Sequence, residues 1–250
     1  KPNVYSWRNI TVGNAFKNGY DYKRDLDSHM MKNTEWGSIA YLQHSTYGSQ
    51  ASVRINNNKV YITGYAATEE PTLGYSSTSV DGNRYESTNL GTDGTHTLNY
   101  LNPNSVVAST TNNYSGIYDM SGGAWEYVMG YTTGATTVGG TSGITSLYSN
   151  FFSDSSYSKY WDRHTSTVYS NYNNRILGDA TGEMGPFGSE NGNKSSWYKD
   201  YAYLVSSSTP WFARGGAWVN GIISGAFSTG FGPGYISDDK VFRIVLTPTK

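Results

Sequence analysis

The chain has 250 residues, with 18 Lys or Arg and 19 Asp or Glu, so its formal net charge is -1. This balance excludes the Lys/Arg-rich surface on which nucleic-acid-binding proteins depend, and the lack of cysteine excludes thiol catalysis, disulfides and cysteine-based metal sites. Aromatic residues make up 15% of the chain, and no apolar run approaches the roughly 20 residues that span a bilayer. We therefore predict a globular protein with an aromatic-rich core, which contacts neither nucleic acid nor a membrane directly.

The first fifty residues contain one clear helical pattern. Short β-like segments are predicted at residues 4–7 and 10–12, and a polar stretch follows them. The region 30–47 is predicted to be a helix, because large side chains recur there at helical spacing. Asn33 or Thr34 is the expected N-cap of this helix. The predicted buried face consists of Trp36, Ile39, Ala40 and Gln43.

Turn signals and strand patterns dominate the rest of the chain. A hairpin is predicted in residues 51–65, and long surface loops are predicted in 68–113. Clustered rings in 145–172 predict a second short helix that packs on the core. The region 210–246 is strand-like and ends in an apolar strand at 241–246. Because the chain shows no repeat and no interdomain linker, we predict that it forms one domain.

Residues 116–128 read GIYDMSGGAWEYV and combine large apolar side chains with a small-residue turn. The turn is Ser121-Gly122-Gly123, and the carboxylates of Asp119 and Glu126 lie on either side of it. Glycine permits the tight backbone of such a turn, whereas acids in an apolar setting need partners. We interpret the stretch as either a structural knot or a metal-binding loop.

Three segments, taken in order, resemble one protein family. Residues 33–36 (NTEW) and the following Ile-Ala-Tyr resemble its helix with a Glu-Trp step, and residues 116–128 resemble its GLYDM-GNVWEWV block. Residues 214–218 (RGGAW) and 242–245 (FRIV) resemble its RGGSW and GFRV pair. This is the formylglycine-generating-enzyme, or sulfatase-modifying-factor, superfamily. The resemblance implies an α+β, C-type lectin-like fold, with short helices around small antiparallel sheets and long loops.

The chain also departs from the catalytic members of that superfamily. Their oxidases act through paired cysteines, which this chain lacks, so the resemblance implies a protein that is not an enzyme. The chain is more similar to the non-catalytic branch, which includes the variable proteins of diversity-generating retroelements. These are receptor-binding tips of phage tails or bacterial surface adhesins. The resemblance thus implies an extracellular domain at the end of a longer surface or tail protein, with a protein or glycan receptor on a cell surface as its partner.

In that branch a variable binding surface lies near the C-terminus, and residues 214–245 have the corresponding layout of fixed glycines and rings among unrelated residues. Several of the unrelated residues are apolar, which on an open surface is typical of a contact site. The alternative is that the two adjacent isoleucines fill the core. The residues expected to bind the ligand are Val219, Asn220, Ile222, Ile223, Ser228, Thr229, Phe231, Pro233, Tyr235, Ile236 and Ser237.

The resemblance further implies a structural calcium site in residues 116–128. The ligands would be the side chains of Asp119 and Glu126 with the backbone carbonyls of Gly122 and Ala124. Calcium takes about six to eight oxygen ligands in a flexible arrangement, which a glycine turn between two carboxylates can help to supply. In the alternative interpretation there is no ion, and the two acids hold the fold by capping backbone groups and by pairing with an arginine.

Arg214 and Arg243 are the candidate partners, since both lie in otherwise apolar strands. A buried guanidinium must be paired, so we expect each to form a salt bridge with Asp119, Glu126 or Glu35 rather than to bind a ligand. Two further functions stay open on the sequence. One is a calcium-dependent carbohydrate-binding lectin, and the other is a structural subunit of a pilus-like or phage-tail appendage.

Overall fold

The structure of the protein is a computed structural model. The described residues are 6–50, 66, 109–111, 113, 115–132, 141, 144, 148–164, 176–181 and 200–248, without the side chain of Ile222. The predicted hairpin at 51–65 and most of the predicted loops at 68–113 lie outside them. Among the described residues, no helix is both long enough and apolar enough to cross a membrane.

The described elements confirm a mixed α+β fold with few helices and small sheets. The helices are α1 (Val12–Tyr22) and α2 (Asn33–His44), with 3-10 helices at Arg24–Leu26, Ser155–Tyr160 and Trp218–Ile223. The strands are β1 (His29–Met30), β2 (Trp125–Thr132), β3 (Asp162–His164), β4 (Trp211–Gly215), β5 (Gly225–Gly232), β6 (Lys240–Phe242) and β7 (Ile244–Val245).

Strand β2 is the centre of the larger sheet, and all eight of its residues are buried. The strand order is β3-β2-β4-β5, in which β4 is antiparallel to both of its neighbours. On the other edge of β2, β6 pairs in parallel with the first three residues and β3 with the last three. Between them, the amide of Met129 donates to the carbonyl of Met31 at 2.8 Å. Three distant parts of the chain therefore cover this edge.

Of the described helices, α1 packs on one face of the sheet and α2 on the other. Along β2, Tyr127, Met129 and Tyr131 belong to the cluster that includes Phe16 of α1. Val128, which points to the opposite face, belongs to the cluster that includes Trp36 of α2. Alternation of this kind is expected for an extended strand. Because β2 is buried on both faces, most of its side chains are apolar or aromatic.

Helix α1 replaces the strand and polar stretch that the sequence predicted for this region. The hydroxyl of Thr11 accepts a hydrogen bond from the amide of Asn14 at 3.2 Å, and it thereby caps the helix. The buried residues of α1 are Val12, Gly13, Ala15, Phe16 and Gly19. They recur at helical spacing among polar residues, and the sparse apolar content concealed this pattern.

Helix α2 is confirmed, with Trp36, Ala40 and Gln43 buried. Its N-cap is Lys32, not Asn33 or Thr34, so that prediction was wrong by one residue. The first turn is instead satisfied from two other places. The Glu35 carboxylate accepts from the amide of Lys32 at 2.8 Å, and the Asp162 carboxylate of β3 accepts from the amide of Thr34 at 2.7 Å. A residue distant in sequence thus provides a cap that no local pattern reveals.

The predicted ring cluster is confirmed, and its helix is the 3-10 helix at Ser155–Tyr160. Phe151 is buried against Phe16 of α1, with 4.8 Å between the ring centroids. The partly buried rings around them are Tyr20, Tyr148, Phe152, Tyr157 and Trp161. Edge-to-face and offset ring contacts of this kind stabilise a core beyond the area that they bury.

The predicted apolar strand at 241–246 is wrong as a continuous strand, because it divides at Arg243. Before this residue β6 pairs with β2, and after it β7 pairs with β1 in a separate two-stranded sheet. The Arg243 carbonyl accepts from the amide of Met31 at 2.9 Å. The physical reason for the division is the inward-pointing guanidinium of Arg243, described below.

Gly37→Ala tests the close approach of α2 to residues 178–179. A Cβ at Gly37 would lie 2.3 Å from the Gly178 carbonyl oxygen and 2.4 Å from the Asp179 carbonyl carbon. In an open helix this change stabilises by about 1 kcal/mol, but here we expect a loss of about 1–3 kcal/mol in unfolding free energy from overpacking. Urea unfolding monitored by circular dichroism measures it.

Ser38→Ala is the matched control, because Ser38 is the next residue of the same helix and is exposed. Its effect should stay within about 0.5 kcal/mol. Equal stability of the Gly37→Ala variant and the unsubstituted protein would contradict the described packing of α2 on residues 178–179.

Candidate functional site

Arg243 binds residues 116–128, the stretch that contains the predicted metal-binding loop. Its Nε donates to Glu126 Oε2 at 2.9 Å, and its Nη2 donates to the other carboxylate oxygen. The same guanidinium donates to the carbonyls of Tyr118 at 3.1 Å and Asp119 at 3.2 Å. It also lies 5.8 Å from the ring of Trp36. One side chain therefore joins the C-terminal strands, the segment before β2, β2 itself and α2.

The pairing of Arg243 with Glu126 confirms the predicted salt bridge for this arginine. Glu126 is buried, and the Arg243 side chain is 22% exposed. Burial alone would lower the pKa of Arg243, but the Glu126 carboxylate beside it raises that pKa. Because both oxygens of Glu126 accept from one guanidinium, the pair is bidentate and fixes orientation as well as charge.

The oxygen ligands expected for calcium are poorly arranged for that ion. Both carboxylate oxygens of Glu126 accept from Arg243, so an ion at this carboxylate would lie beside a guanidinium. The other predicted carboxylate belongs to Asp119, which is exposed and has a positive φ of 59°. Among the described residues, no group of three or more acids and histidines has metal-binding geometry. The arrangement favours the salt bridge, and calcium binding stays a prediction.

Arg214 is fully buried, unlike Arg243, and its contacts differ from those expected. It donates to the carbonyl of Ala180 at 3.1 Å, and at 3.4 Å to the carbonyl of Asp179 and to the side-chain oxygen of Asn33. The Asp179 carboxylate in turn accepts from Asn33 at 3.0 Å and lies 3.2 Å from the Nε2 atom of His164. Arg214 thus connects residues 179–180 to Asn33 at the start of α2 through hydrogen bonds.

Sequence reasoning missed this buried polar cluster. Asn33 and Asp179 are 146 residues apart, and His164 and Asp179 have no metal-ligand or catalytic spacing. The one signal available was Arg214 itself, because an arginine in an apolar strand requires partners. Its partners, however, are mostly backbone carbonyls, which every residue carries. The sequence therefore predicted that Arg214 is paired but not what pairs with it.

The predicted ligand-binding residues separate into exposed and buried groups. Val219, in the 3-10 helix after β4, is 53% exposed. Tyr235 and Ile236, in the loop between β5 and β6, are 54% and 56% exposed. These three are among the eight large hydrophobic side chains that the described residues leave exposed. They are the predicted residues best placed to meet a ligand.

Two of the predicted residues are wrongly assigned to a surface. Ser228 and Thr229 are fully buried in β5, because the chain at residues 201–203 covers the outer edge of this strand. The amide of Thr229 donates to the carbonyl of Tyr201 at 2.8 Å. The hydroxyl of Ser228 donates to the carbonyl of Ile223 at 2.8 Å. Ser228 and Thr229 therefore belong to the buried part of β5 and not to an exposed surface.

The remaining predicted residues lie between these two extremes. The Asn220 side chain accepts from the amide of Ala217 at 2.7 Å, so it caps the 3-10 helix. Phe231 packs on Tyr203 with 4.5 Å between centroids. The partly buried members of the predicted set are Asn220, Ile223, Phe231, Pro233 and Ser237, and the side chain of Ile222 lies outside the description.

The 3-10 helix and the β5–β6 loop both contact the start of β2. The amide of Trp218 donates to the carbonyl of Gly123 at 2.8 Å, and the amide of Trp125 donates to the carbonyl of Asp239 at 2.9 Å. Tyr201, partly exposed, lies 5.5 Å from the ring of Trp125. We name residues 219–223 and 233–237, together with the ring of Tyr201, the C-terminal surface.

Comparison of this chain with models of known protein families and with curated proteins finds no match.

The charge partner of Glu126 can be tested by substitution and chelation. We expect Glu126→Gln to lower the unfolding free energy by about 3 kcal/mol, because a broken buried pair leaves an uncompensated charge on Arg243. The thermal midpoint of the unsubstituted protein should be the same with EDTA and with calcium chloride. Asp25→Asn is the control, since Asp25 is 67% exposed and its pair with Lys23 is worth little. A midpoint that EDTA lowers would instead support the calcium site.

Proposed function

We propose that this chain is a non-catalytic ligand-binding domain with a C-type lectin-like fold of the formylglycine-generating-enzyme type. Its C-terminal surface would bind a protein or glycan receptor on a cell surface, as in the variable proteins of diversity-generating retroelements that it resembles. It would act outside the cell, on a bacterial surface or a phage tail.

The observation that carries the proposal is the exposure of Val219 on the 3-10 helix and of Tyr235 and Ile236 on the β5–β6 loop. Single exposed apolar side chains are common, but several of them grouped on one surface are typical of a contact site. Tyrosine is among the residue types that most often dominate the energy of an interface, which makes Tyr235 the strongest candidate anchor. The surrounding polar residues, such as Asn220 and Ser237, make their hydrogen bonds within the chain, so the apolar groups are the ones left to contact a ligand.

Backbone contacts explain how such a surface could vary without loss of the fold. The carbonyl of Gly234 accepts from the amide of Val12 at 3.0 Å, and the carbonyl of Ser237 accepts from the amide of Asn9 at 3.1 Å. The first of these satisfies a donor at the start of α1, which has no partner within the helix. Since the scaffold is held through the main chain, the outward side chains of the loop can change freely.

The retroelement version of the proposal predicts where related genomes differ. Substitutions among sibling copies of this gene should concentrate at the exposed positions Val219, Tyr235 and Ile236 and at their neighbours. They should spare the buried Ser228 and Thr229, which lie within the same stretch of sequence. Sequencing of this locus across isolates measures how the substitutions are distributed along the chain. Differences spread evenly over the chain would contradict diversification at this surface.

Binding itself is tested with fluorescently labelled protein on a panel of intact bacterial and epithelial cells, read by flow cytometry. We expect Val219→Ser and Tyr235→Ser each to weaken binding at least about tenfold, the effect of losing one anchor. Tyr47→Ser is the matched control, because Tyr47 is also exposed but lies beyond the end of α2. Pretreatment of the cells with protease or with periodate distinguishes a protein receptor from a glycan.

Equal binding by the Val219→Ser and Tyr235→Ser variants, or no binding to any cell in the panel, would contradict the proposal. Because all three substituted side chains are exposed, the thermal midpoints should stay close to that of the unsubstituted protein. That measurement separates loss of a contact from loss of the fold.

A further inference from the structure

The junction between the 3-10 helix Trp218–Ile223 and β5 rests on a buried carboxyl group. Asp200 is 7% exposed, and its Oδ2 atom accepts from the amide of Phe227 at 3.1 Å. A Cβ at Gly225 would lie 2.1 Å from Oδ2 and 2.4 Å from Oδ1. The Asp200 carboxyl therefore occupies the space of a side chain at the first residue of β5.

The next residue connects Asp200 to the C-terminal surface. The amide of Tyr201 donates to the carbonyl of Ile223 at 2.8 Å, at the end of the 3-10 helix. The Tyr201 carbonyl accepts from the amide of Thr229, and its ring packs on Trp125. A displacement of Asp200 would therefore move residues that hold the 3-10 helix against the sheet.

Burial opposes the charge of Asp200 more strongly than the groups around it favour that charge. Arg214 of β4 is the cation that acts on it, and that guanidinium donates to the carbonyls of residues 179–180. On the α2 side of Phe227 lies His44, with 5.1 Å between the two ring centroids, and burial lowers the pKa of His44. Burial raises the pKa of Asp200 to about 7, against the opposing effects of the Phe227 amide and Arg214.

We propose that Asp200 is the positioning residue of the C-terminal surface, and that gain or loss of its proton sets how firmly residues 219–223 are held. The structural part of this inference stands on the contacts of Asp200. Its meaning as control of ligand binding rests on the function proposed above.

The direction of the effect follows from proton linkage. Asp200 binds its proton more tightly in the folded chain than at its ordinary pKa of 3.8. When the junction opens, water reaches the carboxyl and its pKa returns toward that ordinary value. The closed arrangement is therefore most stable at low pH, weakens as the pH rises from about 4 to about 7, and changes no further above that.

Hydrogen exchange of the full chain, read by mass spectrometry on peptides from 218–229, tests the proposal. The exchange rates of the unsubstituted protein are divided by those of Asp200→Asn at each pH, which cancels the chemical pH dependence of exchange. We expect this ratio to rise about tenfold per pH unit between pH 5 and 7 and then to level off. Asparagine keeps the shape of the side chain and an acceptor for the Phe227 amide.

Asp25→Asn, at an exposed carboxyl in another part of the chain, should give a ratio that does not depend on pH. A flat ratio for Asp200→Asn would overturn the proposal. An equal rise in peptides from α1 would also overturn it, because Asp200 would then act on global stability. If Asp200→Asn does not fold, the ¹³C shift of the Asp200 carboxyl decides: a midpoint near pH 7 supports the proposal, and one near pH 4 overturns it.

The outcome also separates this inference from the proposed function. The expected exchange pattern, together with unchanged cell binding by Val219→Ser and Tyr235→Ser, would support the role of Asp200 in the junction and contradict the binding surface. A flat exchange ratio, together with lost binding in those two variants, would support the surface and overturn the role of Asp200.

Discussion

A guanidinium group cannot be buried without partners, and much of this fold follows from that constraint on Arg243. The side chain turns inward to reach Glu126 and the carbonyls of Tyr118 and Asp119. The strand that carries it then cannot continue in one sheet. It divides into β6, which completes the edge of β2, and β7, which pairs with β1 near the start of the described chain. One charge pair thus sets the route of the C-terminal strands.

Arg214 meets the same constraint with a different solution. It is buried on the α2 face of β4, where its contacts are mostly backbone carbonyls of residues 179–180. Cross-strand pairing places Arg214 opposite Glu126. The two arginines therefore attach different irregular segments to the same face of one sheet. Desolvation makes each attachment costly to break.

The C-terminal surface depends on this rigid support. Its two loops are attached through main-chain hydrogen bonds, by Trp218 to Gly123 and by Gly234 to Val12. Their exposed side chains contribute little to the fold, which is why the proposed function assigns the ligand contacts to them. Asp200 differs from the two arginines, since a carboxyl with a pKa near 7 can lose its charge at a modest cost. The support beneath the 3-10 helix is accordingly the part of the C-terminal surface whose response to pH we infer.

The sequence by itself determined the features that arise from local pattern and from the chemistry of single residues. Helix α2 follows from its periodic large side chains, the ring cluster from its dense aromatics, and the need of Arg243 for an acid from its apolar surroundings. Only the tertiary structure decided the features that join distant residues. Asp162 accepts from an amide in the first turn of α2, and the partners of Arg214 include backbone carbonyls without a sequence signal. Thr229 is buried because residues 201–203 cover its strand. The physical reason is that periodicity reports one exposed and one buried side of an element, whereas burial on the second side depends on which other segment packs there.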